Sequence, residues 1–196
     1  MLAQLLSDIP LERITARASD GPIGAYLAQV AKWMGASNGY ARLMLALGHS
    51  FEAQPLPARF NRGTVGQCFA NAGSLALNNP GLIYVEGLAD CGLFPTAHAW
   101  CIDDAGRVID PTWRDCANAS YFGIPVQWDA LHEHVDQTGY WGLFDGMLPR
   151  RLLDGRLDEF LHPDWVTLEM QQLLPPCFNR ATPAFNPQLL DKTGQL

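Results

Sequence analysis

The stretch Ala97–Trp113, "AHAWCIDDAGRVIDPTW", reads as two short strands around a tight turn. "HAWCID" and "RVIDPTW" are β-rich, and Asp104-Ala105-Gly106 between them has the composition of a three-residue loop with glycine in the left-handed position, a G1 bulge. An odd loop pairs residues of like parity. His98 and Asp110 therefore fall on one face, opposite or diagonal to each other and about 5–8 Å apart. A loop of two or four residues would put them on opposite faces. At that separation a carboxylate fixes the tautomer of an imidazole and stabilises its charged form. Taken singly, His98 reads as a solvated strand-start histidine and Asp110 as a turn carboxylate, because Asp-Pro opens turns. Sharing a hairpin face is what points to chemistry.

A histidine held in this way serves a nucleophile, and the residues upstream offer one. Cys68 follows Gly63, Gly66 and Gln67 and opens the helical stretch "CFANAGSLAL". A helix N-terminus carries partial positive charge and unbonded N–H groups, which favour a thiolate and can stabilise an oxyanion. His98 would then complete an ion pair or act as general base. A random cysteine at a helix start is more often a buried structural thiol; its position, the glycines and the downstream His–Asp pair reverse that reading here. The glycines are expected to let a substrate backbone approach closely. Gln67 is a tentative oxyanion donor, weighed against a loop glutamine bonding local backbone. Trp100 shares parity with His98 and is a tentative wall of the substrate pocket. Asn71, one turn after Cys68, is expected to support the loop, and Glu86 to be an exposed strand carboxylate. Trp113 is expected to pack the sheet, and Tyr121, Phe122 and Trp141 to pack the core or line a groove.

The other cysteines compete poorly. Cys101 points to the face opposite His98 and is expected in the core. Cys91 lies in the loop before His98, and Cys116 and Cys177 lie in loops or the tail. Five cysteines with no CxxC suggest neither a disulfide framework nor a zinc ribbon. His132 and His134 sit at i, i+2 and do not share a helix face, so no metal site is expected. Gly63–Gly66 lacks the lysine and spacing of a phosphate loop, and no cofactor is expected.

The whole chain sets the frame. Its 196 residues are 48% hydrophobic and 17% charged, which suits one globular domain. A net charge of -7 and no basic cluster beyond Arg150-Arg151 argue against nucleic acid as partner. No window reaches the roughly 18 apolar residues of a spanning helix, so no membrane is expected. The start "MLAQLLSDIPLERITARASD" lacks a basic region and an unbroken apolar run, so a cytoplasmic protein is the expectation. The oligomeric state is left open.

The spacing predicts a short helix around Met1–Ser7. It predicts a second from Pro22, capped by Ser19 or Asp20 and ended by Gly35, burying Ile23, Tyr26, Leu27, Val30 and Met34. A third helix ends at Gly48. The stretch 51–66 reads as a long loop, of the kind that often carries function. Strands are expected at "LIYVEGLA", "HAWCID", "RVIDPTW" and "YFGIPVQW", with Pro125 at an edge or strand end. Helices are expected at "WDALHEHVDQTG" and "RLLDGRLDEFLHPDW". Strands joined by short turns make an α+β antiparallel meander, not a doubly wound sheet.

"GQCFANA", "YVEG", "HAW" and "VIDPTW", in this order, resemble the transglutaminase-like branch of the papain-like cysteine superfamily. The resemblance covers about Gly63 to Trp113 and looks most like the small bacterial or phage versions. It implies a catalytic-Cys helix packed on a small antiparallel sheet, with extra N-terminal helices. The single domain would span 1–175, with a helical part over 1–50, a catalytic core over 60–130 and a poorly ordered tail over 176–196. It implies Cys68 as nucleophile, His98 as base and acid, and Asp110 as orienting carboxylate. The substrate would be a peptide, a protein or a small amide. Water as acceptor gives a peptidase, amidase or deamidase; an amine gives a transglutaminase-type acyltransferase. The lack of a calcium-binding loop and flanking sandwich domains favours hydrolysis. A silent interaction module of the same fold is the reading from another class, and acyl transfer from a coenzyme A thioester is a third.

Overall fold

The computed structural model describes residues 10–18, 21–35, 39–144, 159–167 and 170. The helix expected around Met1–Ser7 and the tail over 176–196, with Cys177, lie outside them. Three helices lead the described chain: α1 Leu11–Ala18, α2 Pro22–Met34 and α3 Gly39–Leu47. Helix α1 has no counterpart in the sequence reading. Helix α2 begins with Pro22 in its first turn, but its N-cap is Gly21, which makes no side-chain cap bond; Ser19 and Asp20 lie outside the described residues. It buries Ile23, Gly24, Leu27 and Ala31 and leaves Tyr26 and Met34 exposed. The small residues turn inward because α2 packs close to its neighbours, so the inward stripe is narrower than periodicity suggests. Helix α3 is buried from Ala41 through Leu47, as a helix apolar nearly all round must be, and it stops at Gly48, whose amide bonds Met44 O at 2.7 Å.

The sheet follows. Strands β1 His49–Phe51, β2 Ile83–Asp90, β3 Thr96–Ile102, β4 Val108–Ile109 and β5 Ser120–Pro125 lie in the order β1-β5-β2-β3-β4, with every pair antiparallel. Strand β1 was not expected from the sequence. The α+β class and antiparallel pairing are as expected, but the simple meander is not what forms. Strand β5 crosses to the far side of β2 instead of pairing with β4. The cause is local: Pro111 has no N–H to give a ladder, and Asp110 bonds its own following backbone, so the expected "RVIDPTW" strand pairs only at Val108 and Ile109. Glu52 bridges Arg107, with Val108 N bonded to Glu52 O at 2.9 Å, and this joins the two outer strands. The sheet therefore curls until its edges meet.

Curling divides the core in two. On the concave side lie Phe51, Val85, Ala89, Trp100, Ile102, Val108, Cys116 and Tyr121. On the other side Tyr84, Leu88, Ala99, Cys101, Ile109 and Ile124 pack with the helices. These include α4 Cys68–Asn78, which carries Ala72 and Ala76 inward, and α5 Trp128–Thr138, which carries Leu131. Strand residues alternate between the two sides, as the pleat requires. Cys101 donates to Ala72 O at 3.2 Å and is fully buried, as expected; burial pushes its thiol far up.

Glu86 departs from expectation. It is buried at 1% exposure and accepts from the amides of Leu143 (2.7 Å) and Phe144 and from the Tyr84 hydroxyl (3.2 Å). A strand carboxylate reads as exposed until the loop that returns to cover it is known. Of the helix expected over 151–165, only 159–165 are described. Leu161 makes an antiparallel bridge to Val126 and His162 N bonds Pro125 O at 3.0 Å, so this piece pairs beside the end of β5 before a 3-10 turn at Pro163–Trp165. Among the described residues no helix is long and apolar enough to cross a membrane.

Candidate active site

The 97–113 hairpin folds with the loop its sequence predicts. Asp103 N bonds Arg107 O at 3.1 Å, the loop is Asp104-Ala105-Gly106, and Gly106 has φ +74°. The register pairs Cys101 with Ile109 and Ile102 with Val108. That places Asp110 diagonal to His98 on the concave face, and His98 Nε2 meets Asp110 Oδ2 at 2.9 Å with both residues buried. Pairing of β3 with β4 ends at Cys101. The half of β3 that carries His98 thus has an edge without a β4 partner.

The N-terminus of α4 reaches the ring there. The Cys68 thiol, half-buried at the start of that helix, is among the groups that raise the pKa of His98, whose Nε2 is already bonded to Asp110. The loop before the helix is held by Asn71, as expected. Its side chain accepts from Thr64 N (3.1 Å) and donates to Thr64 O (2.7 Å) and to Thr112 Oγ1 (3.0 Å). Gly63 N bonds Pro111 O at 2.8 Å, so the loop before Cys68 and the turn after Asp110 are tied directly. The sequence suggests that Gly63 leaves space for a substrate, but the place its Cβ would take is filled by the Asn71 carboxamide.

Asp110 is fully buried and saturated. Oδ1 accepts from the amides of Thr112 (2.7 Å) and Trp113 (3.1 Å), while Oδ2 accepts from His98 and from the Tyr121 hydroxyl at 2.8 Å. Burial alone would raise its pKa, but the bonds from His98, Thr112 and Tyr121 hold it below the usual carboxylate range. Burial likewise works against the charged His98 ring, yet its bond to Asp110, the neighbouring Cys68 thiol and the charges of both push it up to about 9. Trp113 stacks on the ring at 4.3 Å between centroids, and Trp100 lies at 6.2 Å, nearly parallel.

Trp100 is fully buried on the concave side, so it supports His98 from beneath and does not line a substrate surface; parity gave its face, but the closing of the sheet hides that face. Gln67 is exposed and is the N-cap of α4 through its backbone, with no side-chain cap bond. Sequence reasoning missed the bond between Tyr121 and Asp110. The strand that holds Tyr121 pairs with β2, more than thirty residues upstream, and nothing local sets its register. Cys91 is exposed and Cys116 is buried, bonding Gln54 O at 3.3 Å.

The buried pair makes a stability prediction. A raised histidine contributes stability that is complete below its unfolded pKa of 6.5 and is lost as pH rises through about 9. A depressed carboxylate contributes above its unfolded value and loses that contribution as pH falls. Urea unfolding of wild type and His98→Gln should therefore differ by a few kcal/mol at about pH 6, with the gap closing towards pH 9. A gap that stays constant across that range would contradict the pairing.

Comparison with protein-family models, with curated proteins and with solved structures finds no match for this chain. The resemblance to the transglutaminase-like branch therefore rests on the sequence motifs alone.

Proposed function

We propose that the chain is a thiol-dependent hydrolase of peptide or other amide bonds, with the papain-like, transglutaminase-like arrangement of Cys68, His98 and Asp110. The observation that carries this reading is the buried 2.9 Å bond between His98 Nε2 and Asp110 Oδ2, with the half-buried Cys68 thiol at the start of α4 among the groups that raise the pKa of that ring. In the reaction, Cys68 Sγ passes its proton to His98 and attacks the carbonyl carbon of the amide. The first-turn amides of α4 face the developing oxyanion. The C–N bond breaks, the His98 proton goes to the leaving amine, and a thioacyl-enzyme remains. Water attacks the thioester carbonyl as His98 takes its proton, the C–S bond breaks to release the carboxylic acid, and the proton returns from His98 to Cys68 Sγ. An amine in place of water gives acyl transfer through the same steps.

Carboxamidomethylation by iodoacetamide, read by mass spectrometry, tests the reading. Cys91 is exposed and Cys68 is half-buried, so access alone would make Cys91 the faster. At about pH 6.5 Cys68 is expected to label at least ~10-fold faster than Cys91, and His98→Ala to remove that advantage. If Cys68 trails Cys91 in both proteins, the thiol is not activated and the hydrolase reading falls.

A further inference from the structure

We propose that Tyr121 is a positioning residue of this site: its hydroxyl shares Asp110 Oδ2 with the His98 ring, and so limits how strongly the carboxylate holds the His98 proton. The geometry is specific. One carboxylate oxygen receives two donors, His98 Nε2 at 2.9 Å and Tyr121 Oη at 2.8 Å, while the other is occupied by two backbone amides. All three side chains are buried, so no water shell dilutes the competition. Tyr121 stays a donor: burial first, then the charge of Asp110 and its hydrogen bond, push the phenol far up, so it holds its proton at every working pH.

The catalytic meaning rests on the function proposed above. His98 must take a proton from Cys68 and then release it to the leaving amine. An undivided Asp110 carboxylate would keep the imidazolium too stable to be a ready acid; a second donor on the same oxygen lowers its basicity. The titratable groups around this unit are Cys68 at the start of α4, Cys101 on β3, Cys91 in the β2–β3 loop and Cys116 in the turn before β5. Cys101 holds its proton, and the others are common to every variant below.

The test is an NMR titration of the His98 ring in three forms of the full chain: wild type, Tyr121→Phe, and protein carrying difluorotyrosine at position 121. Phenylalanine removes the competing donor, and the His98 midpoint is expected to rise from about 9 by about one pH unit. Difluorotyrosine keeps the ring and hydroxyl but makes the hydroxyl a stronger donor, so the midpoint is expected to fall. It also preserves the packing, so it decides the matter if Tyr121→Phe does not fold. Opposite shifts are the signature of shared control; a purely structural Tyr121 would not give them. A midpoint that stays put or moves the same way in both variants overturns the proposal. The Cys68 labelling experiment reads the hydrolase function separately: opposite shifts with an inert Cys68 would keep Tyr121 in control of the ring while removing the reaction.

Discussion

Asp110→Ala is expected to cost about 4 kcal/mol of stability, and Asp110→Asn to keep the fold while, under the hydrolase function proposed above, cutting kcat/KM on an anilide substrate by about 10⁴-fold. The first figure follows from what alanine abandons. The His98 ring N–H, the Tyr121 hydroxyl and the amides of Thr112 and Trp113 all donate to this one carboxylate. A buried donor left without an acceptor costs about 1–3 kcal/mol. The second figure follows from the number of acceptors. A carboxamide whose oxygen stays on the two backbone amides turns its NH2 towards His98, and Nε2 must then accept. The ring proton moves to Nδ1, and in the reaction proposed above a ring so protonated no longer takes the proton of the thiol. Urea unfolding reads the alanine variant and steady-state kinetics the asparagine one. An asparagine variant with more than about a tenth of wild-type kcat/KM would remove Asp110 from the chemistry.

How much of this was legible in the sequence depends on the range over which each feature is decided. The 97–113 hairpin was legible because loop length fixes parity, and parity alone places His98 and Asp110 on one face and Cys101 on the other. The start of α4 at Cys68 and the stop at Asn78 were legible from local turn residues. What failed was decided at long range. The sheet order, the burial of Trp100 and Glu86, and the contact of Tyr121 with Asp110 all follow from β5 crossing to β2 and from β1 meeting β4. Hydrophobic alternation shows that a strand has two faces. It does not show that the sheet will close and hide both. Asn71 and Gly63 lie between these cases: a helix-start asparagine and a loop glycine were each noticed, but their dependence on each other needs the loop's path.

Gly87→Val is expected to lower stability by about 4 kcal/mol, a fall in Tm of roughly 8–16 °C for a chain of this size, while Gly81→Ala stays within about 0.5 kcal/mol of wild type. Gly87 sits at the centre of the sheet, paired with His98 on one side and Gly123 on the other. A Cβ there would collide with the carbonyl oxygen of Phe122 and the Cα of Gly123, and these are backbone atoms that no side-chain rotation clears. Gly123 is equally confined, against Glu86 O and the Trp100 ring. Two opposed glycines at this point let β2 and β5 approach closely enough for the sheet to curl, and the curl brings Tyr121 over Asp110. Gly81, before β2, has no neighbour within 4 Å of its Cβ position and serves as the control. Valine at 87 acts on the site as well as on the fold, because forcing the strands apart at the residue paired with His98 moves the ring away from its partners. Thermal unfolding of the two variants, with Cys68 labelling on whatever Gly87→Val remains folded, separates the effects. A Gly87→Val protein that melts with Gly81→Ala would mean that the strands are not held this close, and the shared contact on Asp110 Oδ2 would lose its structural basis.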